Sequence, residues 1–258
     1  MSSHVEASQG QEDVDPRLVR ILQRRRSLIW SPAEQDAKIA GSILTKFGIV
    51  LIENVISARL SDRIHAQLPR LKPLAPTRVI EPSRRQDLLL YPGGYVSEVL
   101  DLAWTTIMPF MHTVVGRDPE LLELSSMVSF PGAAQQAPHP DVHQSEHKTS
   151  MYSVFIPLTD QTYEMGPLLA WPGTHYGEPP ELPMSDVVPM MAPAGSLIVM
   201  DSRLYHCGGE NRSDIPRPVM YFTFKGPGPL PQGSTLSLLT ELKGSKVNDL
   251  RPSSSFED

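Results

Sequence analysis

The chain has 258 residues, a formal net charge of −6 and a pI near 5.8, with 40% hydrophobic and 20% charged residues. This suits a globular protein with a substantial core and argues against a nucleic-acid binder, which would show a basic face. A single cysteine, Cys207, excludes an internal disulfide, and no apolar run approaches the ~20 residues needed to span a bilayer, so a reducing, cytoplasmic setting without membrane attachment is expected.

The polar first ten residues lack the apolar stretch of a secretory signal. Asp15-Pro16 then predicts a helix start, with Leu18, Ile21 and Leu22 at helical spacing. The run Arg24-Arg25-Arg26 falls on this helix and reads as a solvated face. Ser31-Pro32-Ala33-Glu34 has the form of a capping box opening a second helix that ends near Gly48, where an apolar strand, Ile49 to Ile52, begins. Ser57 caps a third helix with Leu60, Ile64 and Leu68 on one face. A fourth is expected from Ser97, kinked or ended by Pro109. The segment from Pro69 to Gly94, with Arg84 and Arg85, shows no periodicity and reads as a loop-rich lid, its arginines exposed.

From about residue 121 short β-rich runs alternate with Pro/Gly turns: Glu123 to Phe130, Ser150 to Leu158, Leu168 to Trp171, Ser196 to Met200 and Val219 to Lys225. Strands at this spacing, without intervening helices, predict a sandwich. The expected fold is mainly β with flanking helices: a double-stranded β-helix (jelly roll, cupin-like) braced by N-terminal helices. One domain is expected over residues 1–258, divided into an N-terminal extension (1–30), bracing helices and lid (31–120), a metal-binding core (121–225) and a peripheral C-terminal segment (226–258).

The chemistry concentrates at Gln136-Ala137-Pro138-His139-Pro140-Asp141. Two prolines exclude a regular helix, and in extended chain residues i and i+2 point the same way, so His139 and Asp141 face one point. A second candidate histidine, His206, follows the strand Ser196 to Met200, and Gly208-Gly209 after it permits a sharp turn. Two histidines and one carboxylate form the facial set that leaves metal positions open in non-haem iron(II) oxygenases. Arg217, on the return strand, can clamp a distant carboxylate in a bidentate pair.

Four features resemble the phytanoyl-CoA hydroxylase family of iron(II)/2-oxoglutarate dioxygenases: Gln136-x-x-His139-x-Asp141; Gly166-Pro167 followed by Trp171-Pro-Gly-Thr-His175; Gly195-Ser-Leu-Ile-Val-Met-Asp201; and His206 eleven residues before Arg217, with Asn211 and Ser213 between. The opening strand around Phe47 to Val55 extends the resemblance to roughly residues 40–225. It implies that His139, Asp141 and His206 bind iron(II) and that Arg217 holds the distal carboxylate of 2-oxoglutarate. It further implies that Gln136 reaches the cosubstrate or a metal-bound group, and that Leu168 stands where the family often has a polar residue. The implied activity is oxidation of a C–H bond of a small organic substrate, by hydroxylation, desaturation or cyclisation, with 2-oxoglutarate and O2 converted to succinate and CO2. Ascorbate would serve as an accessory reductant. Asp141 argues for a hydroxylase-type enzyme over a halogenase, which has a small residue there. A natural-product intermediate is the expected substrate, and a monomer or homodimer the expected state.

Two other readings stay open. His143 and His147, four apart, could join His139 and His206 in a zinc hydrolase, although Gln144 breaks the zinc-protease pattern. A cupin-like module could bind a ligand without turnover. His175 is expected to stabilise its turn, Cys207 to be a small buried residue, Asp201 to mark a turn, and Asn211 and Ser213 to brace the turn before Arg217.

Overall fold

The computed structural model describes residues 16–31, 36–71, 84–143, 149–177, 179, 181–231, 234 and 237–251. The elements are α1 (Pro16–Arg26), β1 (Ile29–Trp30), α2 (Ala37–Phe47), β2 (Ile49–Ile52), α3 (Ala58–His65), β3 (Arg85–Leu89), α4 (Gly94–Val115), β4 (Glu120–Ser129), β5 (Met151–Pro157), β6 (Leu168–Ala170), β7 (Val188–Pro189), β8 (Leu197–Asp201), β9 (His206–Gly208) and β10 (Arg217–Lys225). Seven strands form one sheet in the order β1-β2-β8-β5-β10-β4-β3, and three form a smaller sheet, β7-β6-β9. The large sheet is mixed and open: β1 and β2 are parallel, every other pair antiparallel. This is the jelly-roll class that the strand spacing predicts, with α2, α3 and α4 on one outer face and α1 against β7 of the small sheet.

Strand parity explains the layering. Val50, Ile52, Val154, Leu197, Val199 and Phe222 join α2, α3 and α4 in the main core. Their neighbours Ile49, Leu51, Ile198 and Met200 pack instead with Ala170 and Val188 of the small sheet. Successive side chains on a strand point to opposite faces, so a strand covered on both sides reads as a continuous apolar run. Trp104 of α4, 1% exposed, meets Phe224 of β10 edge-on with ring centroids 5.3 Å apart.

Helix boundaries follow local chemistry, with two corrections. Ser57 caps α3 through Leu60 N–H (3.3 Å). The cap of α2, however, is Asp36, which accepts from Lys38 N–H at 2.9 Å, so the helix begins later than the Ser31 motif suggests; residues 32–35 of that motif lie outside the described residues, as does Asp15. α4 starts at Gly94, ahead of Ser97, and runs through Pro109 to Val115. Proline costs that helix a hydrogen bond, but its face bearing Ile107, Phe110 and Met111 is buried in the main core, and tertiary packing outweighs the local loss.

Three further expectations are revised. The segment read as a lid supplies β3, which pairs with β4 at the sheet edge; residues 72–83 of it lie outside the described residues. Its Arg85 is buried, 4% exposed. The C-terminal segment contributes Leu238, Leu239, Leu242, Val247 and Leu250 to the main core and so is not peripheral. The basic run on α1 is a set of ties as well as a solvated face: Arg24 pairs with Asp186 (3.1 Å), and Arg25 with Glu53 (3.2 Å) and the carbonyl of Met191. No helix among the described residues is long and apolar enough to cross a membrane.

Candidate metal centre and cosubstrate cavity

His139 and His206 meet as an isolated antiparallel bridge, His139 N–H donating to the carbonyl of 206 (2.9 Å) and His206 N–H to that of 139 (3.0 Å). Each ring's Nδ1 lies on the carbonyl two residues before it, His139 on Ala137 (2.8 Å) and His206 on Leu204 (2.9 Å). A carbonyl only accepts, so both Nδ1 atoms carry the hydrogen and both Nε2 lone pairs are available to a metal. Asp141, two residues beyond His139, places Oδ1 3.6 Å from His206 Nε2. The three side chains offer ligand atoms within 4.8 Å of one another. Burial holds the His206 imidazole below the usual histidine range despite the nearby Asp141 carboxylate, which favours the neutral ring that a metal requires. Two imidazoles and a carboxylate on one side of a point fit a ferrous ion with open positions.

Arg217 begins β10 and points into the same cavity, 5% exposed. Its Nη2 donates to Ser129 Oγ (3.0 Å), while Nε and Nη1 are buried without a protein partner. Burial, with Arg85 close by, lowers this guanidinium to about 10. Buried donors are almost always satisfied, so two orphan guanidinium nitrogens mark the place of an anionic group. Gln136 also lines the cavity, but its Oε1 accepts from Gly208 N–H (2.7 Å). A Cβ at Gly208 would stand 2.7 Å from that oxygen, and one at Gly209 2.9 Å from Gly166. Neither glycine has positive φ. The pair is therefore needed for close approach, where the sequence suggested a sharp turn.

Arg85 spans the base of this region. Its guanidinium donates to the carbonyls of Ala134 (2.6 Å), Gly209 (2.9 Å) and Gly208 (3.4 Å). It thereby ties the extended segment that carries Gln136 and His139 to β9, which carries His206, and it is a buried structural residue, not an exposed one.

The cavity has a volume of about 270 Å³. Its walls include Phe155, Leu168, Ile198 and Val219, and its lining also includes Asp87, Glu123, Ser153, Gln161 and Tyr221. Sequence reasoning passed over this second group. The signal was present in β4 and β10, where Glu123, Ser125 and Ser129, and Arg217, Tyr221 and Thr223, recur at alternate positions. Polar residues at one parity of an otherwise apolar strand mark a cavity face. Burial raises the Glu123 carboxyl to about 7, with Asp141 and Asp87 adding to the rise and the Thr223 hydroxyl (2.6 Å) opposing it.

The remaining residues singled out in the sequence sit apart from this centre. His143 is exposed and is not part of the three-residue group, and His147 lies outside the described residues. His175, 3% exposed, anchors its turn to α2 through Thr45 O (2.9 Å) and packs under Gly48, where a Cβ would come within 2.6 Å of its ring. Cys207 is fully buried beside Leu169 and Trp171, and burial pushes its thiol up to about 11, which suits packing and not nucleophilic attack. Asp201 holds Arg203 through main chain and side chain. Asn211 braces the turn before Arg217, donating to Ser129 O (2.9 Å) and Ile215 O (3.0 Å) and accepting from Ser213.

The fold is similar to solved structures of low sequence identity. HygX from Streptomyces hygroscopicus, solved with nickel, 2-oxoglutarate and hygromycin B bound, aligns at TM-score 0.62 and 14% identity over 81% of this chain and 97% of that one. SnoK, a non-haem α-ketoglutarate-dependent carbocyclase from nogalamycin biosynthesis, aligns at 0.60 and 18% over 75% and 85%. EvdO2 from Micromonospora carbonacea var. aurantiaca aligns at 0.61 and 18% over 75% and 94%. The family model described as phytanoyl-CoA dioxygenase (PhyH) matches residues 44–219, about two thirds of the chain and the whole span from β2 to the start of β10. The chain therefore belongs to the phytanoyl-CoA dioxygenase (PhyH) family and is a non-haem, iron- and 2-oxoglutarate-dependent oxygenase.

Proposed function

We propose that this oxygenase oxidises an unactivated C–H bond of a small natural-product intermediate, by hydroxylation, desaturation or ring closure. Each turnover consumes one O2 and one 2-oxoglutarate and releases succinate and CO2. His139, Asp141 and His206 hold the iron, which when bound supplies the site of cosubstrate chelation and dioxygen reduction. The observation that carries the reading is the pairing, across one cavity, of this three-residue group with a buried guanidinium that has two unpartnered nitrogens.

The protein's own part is geometric and electrostatic. Arg217 takes the distal carboxylate of the oxo-diacid through Nε and Nη1, oriented by Ser129 on Nη2. Gln136, with Oε1 held by Gly208, keeps its amide nitrogen available to the cosubstrate or a metal-bound group. Phe155, Leu168, Ile198 and Val219 exclude water from the space between, so that oxidising equivalents reach substrate and not solvent. The natural-product assignment is supported by HygX and SnoK, whose descriptions name hygromycin B and nogalamycin biosynthesis. A buried, reduced Cys207 suits a cytoplasmic setting.

The test is anaerobic titration with Fe(II) and 2-oxoglutarate. A weak visible charge-transfer band, and succinate on admission of air, are expected. Absence of both overturns the assignment.

A further inference from the structure

Arg217 marks one end of the cavity, and an anion held there needs more donors than one guanidinium supplies. A carboxylate accepts hydrogen bonds at about four positions, and the planar fork of an arginine fills two of them. In a buried place the others call for donors as well. Several lining residues are engaged or placed elsewhere. Ser153 and Ser237 sit beside Thr223 and Glu123, six residues along β10 from Arg217, ~20 Å at the usual rise of a strand. The Tyr221 hydroxyl donates to Asp87 (3.2 Å), Leu168 has no polar side-chain atom, and Gln136 is tied to β9 beside His206.

Gln161 stands at the Arg217 end. β5 and β10 are antiparallel, with Pro157 opposite Val219, and Leu158 N–H carries the ladder one step further to the carbonyl of Pro218 (3.2 Å). The chain therefore leaves β5 toward Arg217, and Gln161, four residues past Pro157, lines the cavity from there. Its loop is fastened to the segment before β8. Gln161 N–H donates to Ala192 O (3.0 Å), Ala194 N–H to Asp160 Oδ1 (2.8 Å) and Gly195 N–H to Pro157 O (2.8 Å). Gln161 is 8% exposed, and its Oε1 is buried without a partner among the described residues. A carboxamide has an acceptor at one end and two donors at the other, so a side chain whose oxygen nothing holds can turn its N–H2 group to an anion. The unpartnered nitrogens of Arg217 and the unpartnered amide of Gln161 share this end of the cavity. Buried polar groups are almost always satisfied, and one bound carboxylate would satisfy both.

From this arrangement we infer that Gln161 is a further cosubstrate-binding residue: its amide donates to the distal carboxylate of 2-oxoglutarate beside the fork of Arg217. The inference rests on the oxygenase reading, because that reading assigns the Arg217 end to the oxo-diacid. Two groups from different elements, one charged and one neutral, then read the far carboxylate. A 2-oxo acid without that carboxylate leaves both of them buried and unpaired, which selects the oxo-diacid.

Anaerobic titration of the Fe(II)-loaded protein with 2-oxoglutarate, read by the visible band, tests it in wild type, Gln161→Leu and Gln161→Glu. Leucine removes the donor at similar size. Glutamate keeps the shape and the acceptor but sets a carboxylate against the carboxylate. Affinity should fall about tenfold in Gln161→Leu, as for a hydrogen bond to a charged group, and further in Gln161→Glu. The control ligand is 2-oxopentanoate, which has a methyl group in place of the distal carboxylate; its affinity should agree within about twofold among the three proteins, and so should that for Ni(II). Either variant serves alone if the other does not fold. Failure of the wild-type protein to bind 2-oxoglutarate overturns the oxygenase reading itself. With wild-type binding intact, three results overturn the assignment of Gln161 alone: 2-oxoglutarate affinity within about twofold of wild type in Gln161→Leu, undiminished affinity in Gln161→Glu, or an equal loss for 2-oxopentanoate.

Discussion

His139 and His206 hydrogen-bond to each other through both main-chain groups, at 2.9 and 3.0 Å, so the two imidazoles are placed by backbone pairing across the sheet. Their positions are thus fixed before any metal arrives, which is the preorganisation a metal centre needs.

This makes the site sensitive to side-chain loss but tolerant in fold. His206→Ala or Asp141→Ala should abolish the Fe(II)/2-oxoglutarate band, with metal affinity reduced about 100-fold or more. The backbone bridge is independent of either side chain, so far-ultraviolet circular dichroism should be unchanged. A variant that keeps the band would remove that residue from the ligand set.

Arg217 predicts a graded response. Arg217→Ala should weaken 2-oxoglutarate binding by about 10- to 100-fold, the value of a charge-assisted bidentate pair, as read from the cosubstrate dependence of the band. Arg217→Lys keeps the charge but lacks the planar fork, and should fall between the two. Equal affinities in all three proteins would separate Arg217 from the cosubstrate.

Arg85 should act through stability. Arg85→Leu leaves the carbonyls of Ala134 and Gly209 without their donor in a buried place, at about 1–3 kcal/mol each. A lowered Tm and a loosened metal affinity are expected together, because the same guanidinium ties both histidine-bearing segments. Thermal denaturation with and without Ni(II) would measure both effects. For comparison, Trp104→Ala, far from the site, should cost about 3–5 kcal/mol of stability through its cavity alone.

Glu123 gives the metal-free protein a pH dependence. Its carboxyl is raised from 4.5 to about 7 in the fold, chiefly by burial. Between these values the unfolded chain has released a proton that the folded chain retains. The contribution to stability is full below about 4.5 and is lost as pH rises through about 7. Glu123→Gln lacks this loss. It should raise Tm relative to wild type at pH 8, by about 2–4 °C if the effect reaches ~1 kcal/mol, and by less at pH 5. A difference independent of pH would show that Glu123 does not titrate in this range.

The sequence by itself determined the strand class, the helices α1 to α4 and the His139–Asp141 pair. These rest on short-range rules: strand alternation, helix caps and the common direction of residues i and i+2. His206 and Arg217 were legible because the order of motifs around them resembles a known family. What only the tertiary structure decided depends on residues distant in the chain. Arg85 looked like an exposed arginine because burial of a charge follows from partners more than a hundred residues away, at Gly208 and Gly209. β3 lacks an apolar period because it pairs at a sheet edge, and Asp87 meets the Tyr221 hydroxyl only because β3 and β10 both flank β4. Alternation along one strand shows that a side chain faces inward, but only the folded sheet shows which other charges it meets there.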